Sequence, residues 1–321
     1  MIEFRVLGRP ELRDGDRGPL ESILTQPKRL AILTYLCLAG RRGFVRRDEL
    51  LALVWPESDT AHARAALNQS LYVLRRGLGR EVIPGRGSEE VGLAASKLSC
   101  DAATFLARLD RGDLSGALDL YGGDLLPALH LDSPEADRWF DETRTDLRNR
   151  ALVTALQLGS EAAERGDVDL ACERYQRGLE IVPESESAAR GLVESLWRGA
   201  RRMAALEAFE RFAARLSTEY GVEPGAELSG LVERIRQGEG APSGERRPAT
   251  SEGSKGTLEQ PVAKVPAIRS PSSGSPPEPG AGDDAKRGRP PTRRPRYATA
   301  FFLLAAAVVV AAVMAGRFER T

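Results

Sequence analysis

The chain has 321 residues, 41% of them hydrophobic, with a formal net charge of zero; this is material for about two folded domains. The zero hides an asymmetry: 16 basic and 12 acidic residues over 1–100, 17 and 27 over 101–240, and 13 and 7 over 241–321. The three cysteines, Cys37, Cys100 and Cys172, are odd in number and far apart, and the only histidines are His62 and His130, which excludes a disulfide framework and a Cys/His zinc site.

Residues 1–20 carry scattered charge and no apolar run, so no signal peptide is read there. Ile2, Phe4 and Val6 alternate with Glu3 and Arg5, the pattern of a half-buried strand. The Asp14-Gly15 turn makes a small hairpin or short sheet. A first helix is expected from about Pro27 to Ala39, with Gly40 as its left-handed cap. The basic loop Arg41-Arg42-Gly43-Phe44 leads to a second helix from about Arg47 to Trp55, stopped by Pro56.

A third helix is expected over 60–80. Leu67, Leu71, Leu74 and Leu78 recur at steps of four, three and four, a buried helical stripe. Its other face carries Arg64, Asn68, Gln69, Tyr72, Arg75 and Arg76, and the stretch holds no Asp or Glu. Such a face suits a DNA groove; it also suits an ordinary solvated surface, and the neighbours decide. After Gly79, apolar segments at Val82-Ile83 and 91–95 flank the turn Gly85-Arg86-Gly87-Ser88 as a β-hairpin. Strands, three helices and a hairpin within about 100 residues make a winged helix, whose third helix would be the DNA reader; winged helices also serve as protein-interaction modules.

From Leu98 the pattern reads as all-helical. Leu158, Gly159, Ala171, Tyr175, Gly178 and Pro183 fit a 34-residue tetratricopeptide spacing, and Leu192, Ala205 and Phe209 repeat it. A weaker echo matches Arg111-Gly112-Asp113-Leu114 to Arg165-Gly166-Asp167-Val168. Residues 238–296 hold 27 Pro, Gly and Ser and no apolar period, the composition of a disordered linker; as a coil its ends stand about 40–45 Å apart. Residues 297–316 are free of charge, and Lys286, Arg287, Arg289, Arg293, Arg294 and Arg296 precede them. Twenty such residues span about 30 Å as a helix, a bilayer core, and the cations keep the preceding domains in the cytoplasm. The same cations include KRGRPP at 286–291, which suits lipid contact or, as an AT-hook-like element, the DNA minor groove.

The expected fold class is therefore mainly α: a winged helix-turn-helix with small β elements (1–97), a tetratricopeptide-like α-helical domain (98–237), a disordered linker with a basic end (238–296), one C-terminal transmembrane helix (297–316) and a short tail (317–321). The chain has no Walker A sequence, Gly-rich dinucleotide loop, metal-ligand cluster or nucleophile elbow; it is expected to be no enzyme and to need no cofactor.

Six motifs, QPKRLAILTYL (26–36), RRDELLALVWPE (46–57), ARAALNQSLYVLRRGLG (63–79), LYGGDLLP (120–127), WFDETRTDLRNRA (139–151) and EYGVEPGAEL (219–228), resemble the Streptomyces antibiotic regulatory protein type of activator. Such activators join an OmpR-type winged helix to a bacterial transcriptional activator domain; the membrane segment departs from their small soluble members. The resemblance implies a sequence-specific regulator, an activator that recruits RNA polymerase. It implies α-helical residues 61–79 in the major groove of double-stranded DNA, with Arg64, Asn68 and Tyr72 near base edges, Gln69 also on the DNA-binding face, Arg75 and Arg76 on phosphates, and Arg86 toward the minor groove. Trp55, Pro56, Glu57, Ser58 and Asp59 would form the loop that touches RNA polymerase, and the acidic helical region would serve a homodimer or a protein or small-molecule effector. The expected location is the inner (cytoplasmic) membrane, single-pass. The competing reading is a membrane-anchored helical-repeat scaffold whose winged helix binds protein.

Overall fold

A computed structural model describes residues 1–15 and 18–238. The expected linker beyond Gly238, the 286–291 motif, the 297–316 span and the tail lie outside the described residues. Among the described residues no helix is long and apolar enough to cross a membrane.

The N-terminal strand β1 (Ile2–Arg5) buries Ile2 and Phe4 and exposes Glu3 and Arg5, as its period of two requires. It pairs antiparallel with β2 (Glu11–Asp14), which pairs with β3 (Gly18–Pro19). Asp14-Gly15 thus leads from β2 to β3, and the β1–β2 turn lies earlier, around the positive-φ Gly8. Among the elements not expected from sequence are two that border this sheet. A one-turn helix α1 (Glu21–Leu24) precedes the first long helix, and β7 (Leu98–Cys100) lies parallel to β1, with Phe4 opposite Cys100. Residue 98 therefore opens a strand rather than an all-helical region. The sheet order is β3-β2-β1-β7.

Helix α2 (Pro27–Leu38) begins with Pro at its first position and runs directly into a 3-10 turn (Ala39–Arg42). Gly40 is part of that turn; the positive φ falls on Gly43 instead, at 131°. A short strand β4 (Val45–Arg46) leads into α3 (Arg47–Val54). Helix α4 (Thr60–Leu78) is capped by Asp59, whose carboxylate accepts from the Ala61 and His62 N–H groups, two donors that otherwise have no helical partner. Its buried face is Ala63, Leu67, Ser70, Leu71, Leu74 and Leu78.

The hairpin comes next, with β5 (Gly85–Arg86) against β6 (Glu90–Val91), and β4 completes a sheet of order β4-β6-β5. Gly85 and Arg86, expected in the turn, are strand residues; the turn moves to 87–89, with Gly87 at φ +63. Val82 and Ile83, expected in the strand, are buried packing residues. Their backbone still helps the ribbon, since Ala94 N–H donates to Val82 O at 2.9 Å.

The remaining helices are α5 (Asp101–Asp110), α6 (Leu114–Leu120), α7 (Pro134–Glu164), α8 (Val168–Ile181), α9 (Glu186–Arg198), α10 (Arg202–Arg215) and α11 (Ala226–Gln237), with a π turn over Leu216–Tyr220. One hydrophobic core runs from Ile2 to Ala151 and a second from Ala162 to Ile235. The cores divide within α7, while residues on both sides of 97/98 share the first. The end of β1 is tied to the α6–α7 connection: Gly8 N–H donates to Asp124 O and Leu126 N–H to Val6 O, each at 2.9 Å. The Asp101 carboxylate accepts from Val6, Leu7 and Ala102 N–H at 2.7–3.0 Å. Cys37, Cys100 and Cys172 are free and buried.

The sequence echo at 111–114 and 165–168 is an echo in structure. Gly112 and Gly166 both have positive φ, 76° and 77°. Asp113 N–H and Asp167 N–H each donate five residues back, to Arg108 O and Ala162 O. Both aspartates then cap the next helix, accepting from Gly116 and Leu170 N–H. Thirty-four residues after Gly166 the same turn recurs with Ala200 at φ 58° and Arg201 N–H donating to Leu196 O.

Candidate nucleic-acid interface

The leucine stripe of α4 turns its opposite face outward. Arg64, Asn68, Gln69, Tyr72 and Arg76 are exposed, and Tyr72 keeps 59% of its surface in water. Arg64, Asn68, Tyr72 and Arg76 recur every four residues along this face.

Space adds partners that the linear sequence hides. Arg47, at the start of α3, donates from Nη1 to Asn68 Oδ1 at 2.6 Å. Asp48 lies 3.9 Å from Arg64. Both Asp48 and Arg64 are more than half exposed, so this contact is weak and readily exchanged for another anion. The acid-free stretch is thus acid-free in sequence alone; α3 supplies the carboxylate.

Arg75, expected to clamp a phosphate, is half-buried and donates from Nε to Ile83 O at 2.8 Å, tying α4 to the base of the hairpin. Burial, together with the nearby charges of Arg47 and Arg80, lowers its pKa. Arg86, expected to reach the minor groove, pairs with Glu90 across the hairpin and lies 4.9 Å over the Phe44 ring. The hydrogen bond from Arg86 is the main reason the Glu90 carboxyl sits below its ordinary pKa. Gln69 is turned away from Asn68; it lines a pocket of about 410 Å³ with Lys28, Trp55, Ser70 and His130.

In the loop between α3 and α4, Trp55 is half-buried beneath Lys28, whose Nζ lies 5.3 Å from the ring. Asp59 is committed to the α4 cap. Glu57 is exposed, and Pro56 and Ser58 are half-buried. Sequence reasoning missed Arg47 and Arg80 as members of the charged surface. The doublet Arg46-Arg47 at the start of a helix was the available signal for the first.

The chain so built is a mainly helical protein in which a basic helix, a hairpin and an acidic helical region are packed together. Residues 100–236 match the family described as "Bacterial transcriptional activator domain". The "Transcriptional regulatory protein MoaR1" of Mycobacterium bovis and of Mycobacterium tuberculosis is 28% identical over 254 residues, covering 73% of this chain and 79% of that protein. The "Transcriptional regulatory protein EmbR" of Mycobacterium tuberculosis is 27% identical over 252 residues, covering 73% of this chain and 63% of that protein. The solved structure "Mycobacterium tuberculosis EmbR in complex with low affinity phosphopeptide" shares the fold, with a TM-score of 0.53 at 23% identity over 74% of this chain and 65% of that one. The match thus spans less than two thirds of EmbR.

Proposed function

We propose that the protein is a sequence-specific, DNA-binding transcriptional regulator without enzymatic activity, an activator that recruits RNA polymerase. The observation that carries this reading is the exposed row Arg64, Asn68, Tyr72 and Arg76 on α4, in a chain whose residues 100–236 match a bacterial transcriptional activator domain. Residues 1–97 act as an OmpR-type winged helix, with α4 in the major groove and the β5–β6 hairpin as the wing. Arg64, Asn68 and Tyr72 face base edges, and Arg76 takes a phosphate. Arg75 supports the wing, and Arg86 reaches DNA only by leaving Glu90.

Pro56, Glu57 and Ser58 present the polymerase-facing edge of the α3–α4 loop. The tetratricopeptide-like helices receive the effector or a second copy. A groove of about 650 Å³ beside Gln176, Leu192, Arg211 and Phe212 offers room for it. Residues 297–316 tether the protein to the cytoplasmic membrane, a reading supported by their length, lack of charge and preceding cations.

Chromatin immunoprecipitation of full-length protein and of residues 1–237 in the native host tests this function. Enrichment at defined promoters is expected for both, with membrane fractionation for the full chain alone. Absence of promoter enrichment for both forms, with no DNA binding by purified protein at low salt, overturns it.

A further inference from the structure

The two ends of the Asn68 carboxamide differ in their surroundings. Arg47 Nη1 lies 2.6 Å from one end. A guanidinium only donates, so the atom facing it has to be the oxygen, Oδ1. The amide nitrogen then occupies the other end of the exposed group, and among the described residues it has no hydrogen-bond acceptor. The hydrogen bond is charge-assisted, the stronger kind.

Arg47 has few other partners among the described residues. Its Nε is buried without a hydrogen-bond partner, and the residue as a whole is half-buried. Among the described residues no carboxylate pairs with it; the neighbouring Asp48 lies against Arg46 and Arg64. Its surroundings are cationic, since its charge and that of Arg80 both act on Arg75. The Asn68 oxygen is thus an acceptor that the Arg47 guanidinium has in reach, and it is taken.

An asparagine reads adenine by using both ends of its amide: the oxygen accepts from N6–H and the nitrogen donates to N7. With Oδ1 engaged by Arg47, the accepting half of that pattern is weakened and the donor end remains. We propose that Arg47 fixes Asn68 as a hydrogen-bond donor, so that in the major groove it favours guanine, whose adjacent N7 and O6 both accept, over adenine, whose N7 acceptor stands beside an N6–H donor that the engaged oxygen meets only weakly. Arg47 is a positioning residue, and Asn68 is the residue in contact. The inference rests on the proposed placement of α4 in the major groove.

The test uses the full-length chain and duplexes selected from a randomised library. The base pair read by Asn68 is the one whose preference disappears in Asn68→Ala. At that position the wild type is expected to favour guanine over adenine by about five- to tenfold, the scale of one well-made hydrogen bond. Arg47→Met frees Oδ1 and is expected to erase that preference or turn it toward adenine. Arg47→Lys keeps a donor and is expected to retain it. Asn68→Asp leaves only acceptors and is expected to move the preference to cytosine, whose N4 donates; this variant serves if Arg47→Met does not fold, as judged by its thermal transition.

A wild-type preference for adenine, an unchanged preference in Arg47→Met, or no position lost in Asn68→Ala overturns the proposal while DNA binding itself stands. A wild type that binds no duplex at low salt overturns instead the DNA-binding function on which the proposal rests.

Discussion

Ser133 Oγ donates to the carbonyl of Leu53 at 2.6 Å across 80 residues of sequence, and the same oxygen accepts the Ala136 N–H at 3.3 Å. One hydroxyl thus caps α7 and closes the last turn of α3, immediately before the loop that leads to α4. Ser133 is 1% exposed, so Ser133→Ala leaves a buried carbonyl and a helix N–H without partners. A loss of about 1–3 kcal/mol is expected, read by chemical denaturation. Amide exchange should also quicken in residues 53–59, because the α3 end loses its anchor.

Ala200 takes the left-handed conformation, φ 58°, that glycine supplies at Gly112 and Gly166 in the equivalent turns. A β-carbon costs about 1–2 kcal/mol there, part of which is returned by the greater freedom of an unfolded glycine. Ala200→Gly is therefore expected to raise stability by about 0.5–1 kcal/mol in thermal or denaturant unfolding. An unchanged or lowered midpoint would show that the turn relaxes around the methyl group at no cost.

Asp124 and Arg148 form a part-exposed ion pair beside the Tyr121 hydroxyl, which donates to Asp124 at 3.0 Å. Burial pushes the Asp124 carboxyl up, but the hydrogen bond and charge of Arg148 outweigh it and hold the pKa below 3.8. A depressed folded pKa contributes stability that is present above the unfolded value and lost as pH falls through the folded one. Arg148→Met should accordingly unfold more readily than wild type at pH 6–7. The gap should narrow as pH falls below the ordinary carboxylate value of 3.8. A gap independent of pH would mean that Arg148 acts through packing alone.

Arg75 and Arg76 are adjacent in sequence and differ in surroundings. Arg76 is exposed, so Arg76→Ala should weaken DNA binding evenly across sequences and flatten the salt dependence by about one unit of slope, with stability unchanged. Arg75 donates to Ile83 O, so Arg75→Ala should cost about 1–2 kcal/mol of stability and loosen residues 82–92 in amide exchange. Fluorescence anisotropy over a salt series and a denaturation curve for each variant distinguish the two roles.

What was legible in the sequence was local. The α4 stripe of Leu67, Leu71, Leu74 and Leu78 and the echo of residues 111–114 in 165–168 each lie within short windows, and each is present, the echo as a pair of like turns at Gly112 and Gly166. What was hidden depends on distant residues. Strand β7 is three residues long, and its partner Ile2–Phe4 is nearly a hundred positions away. Arg47 meets Asn68 across 21 positions, so no helical period reveals it. The hairpin strands were displaced because Val82 and Ile83 spend their apolar side chains on the core, while exposed Gly85 and Arg86 carry the regular pairing. Hydrophobicity reports burial, and strand pairing is a separate matter of backbone reach.

The pairing of β1 has a consequence for synthesis. Its partner strand β7 begins at Leu98, and the backbone of Val6 is completed only by Leu126. Strand β1 must therefore wait during synthesis, bound to little more than β2 and β3, until over a hundred further residues have emerged. Long-range closure of this kind is slow, and an unfinished strand edge attracts other chains. A nascent polypeptide from which residues 98–126 have not emerged would expose that edge, whereas one that has released them would already have sealed it.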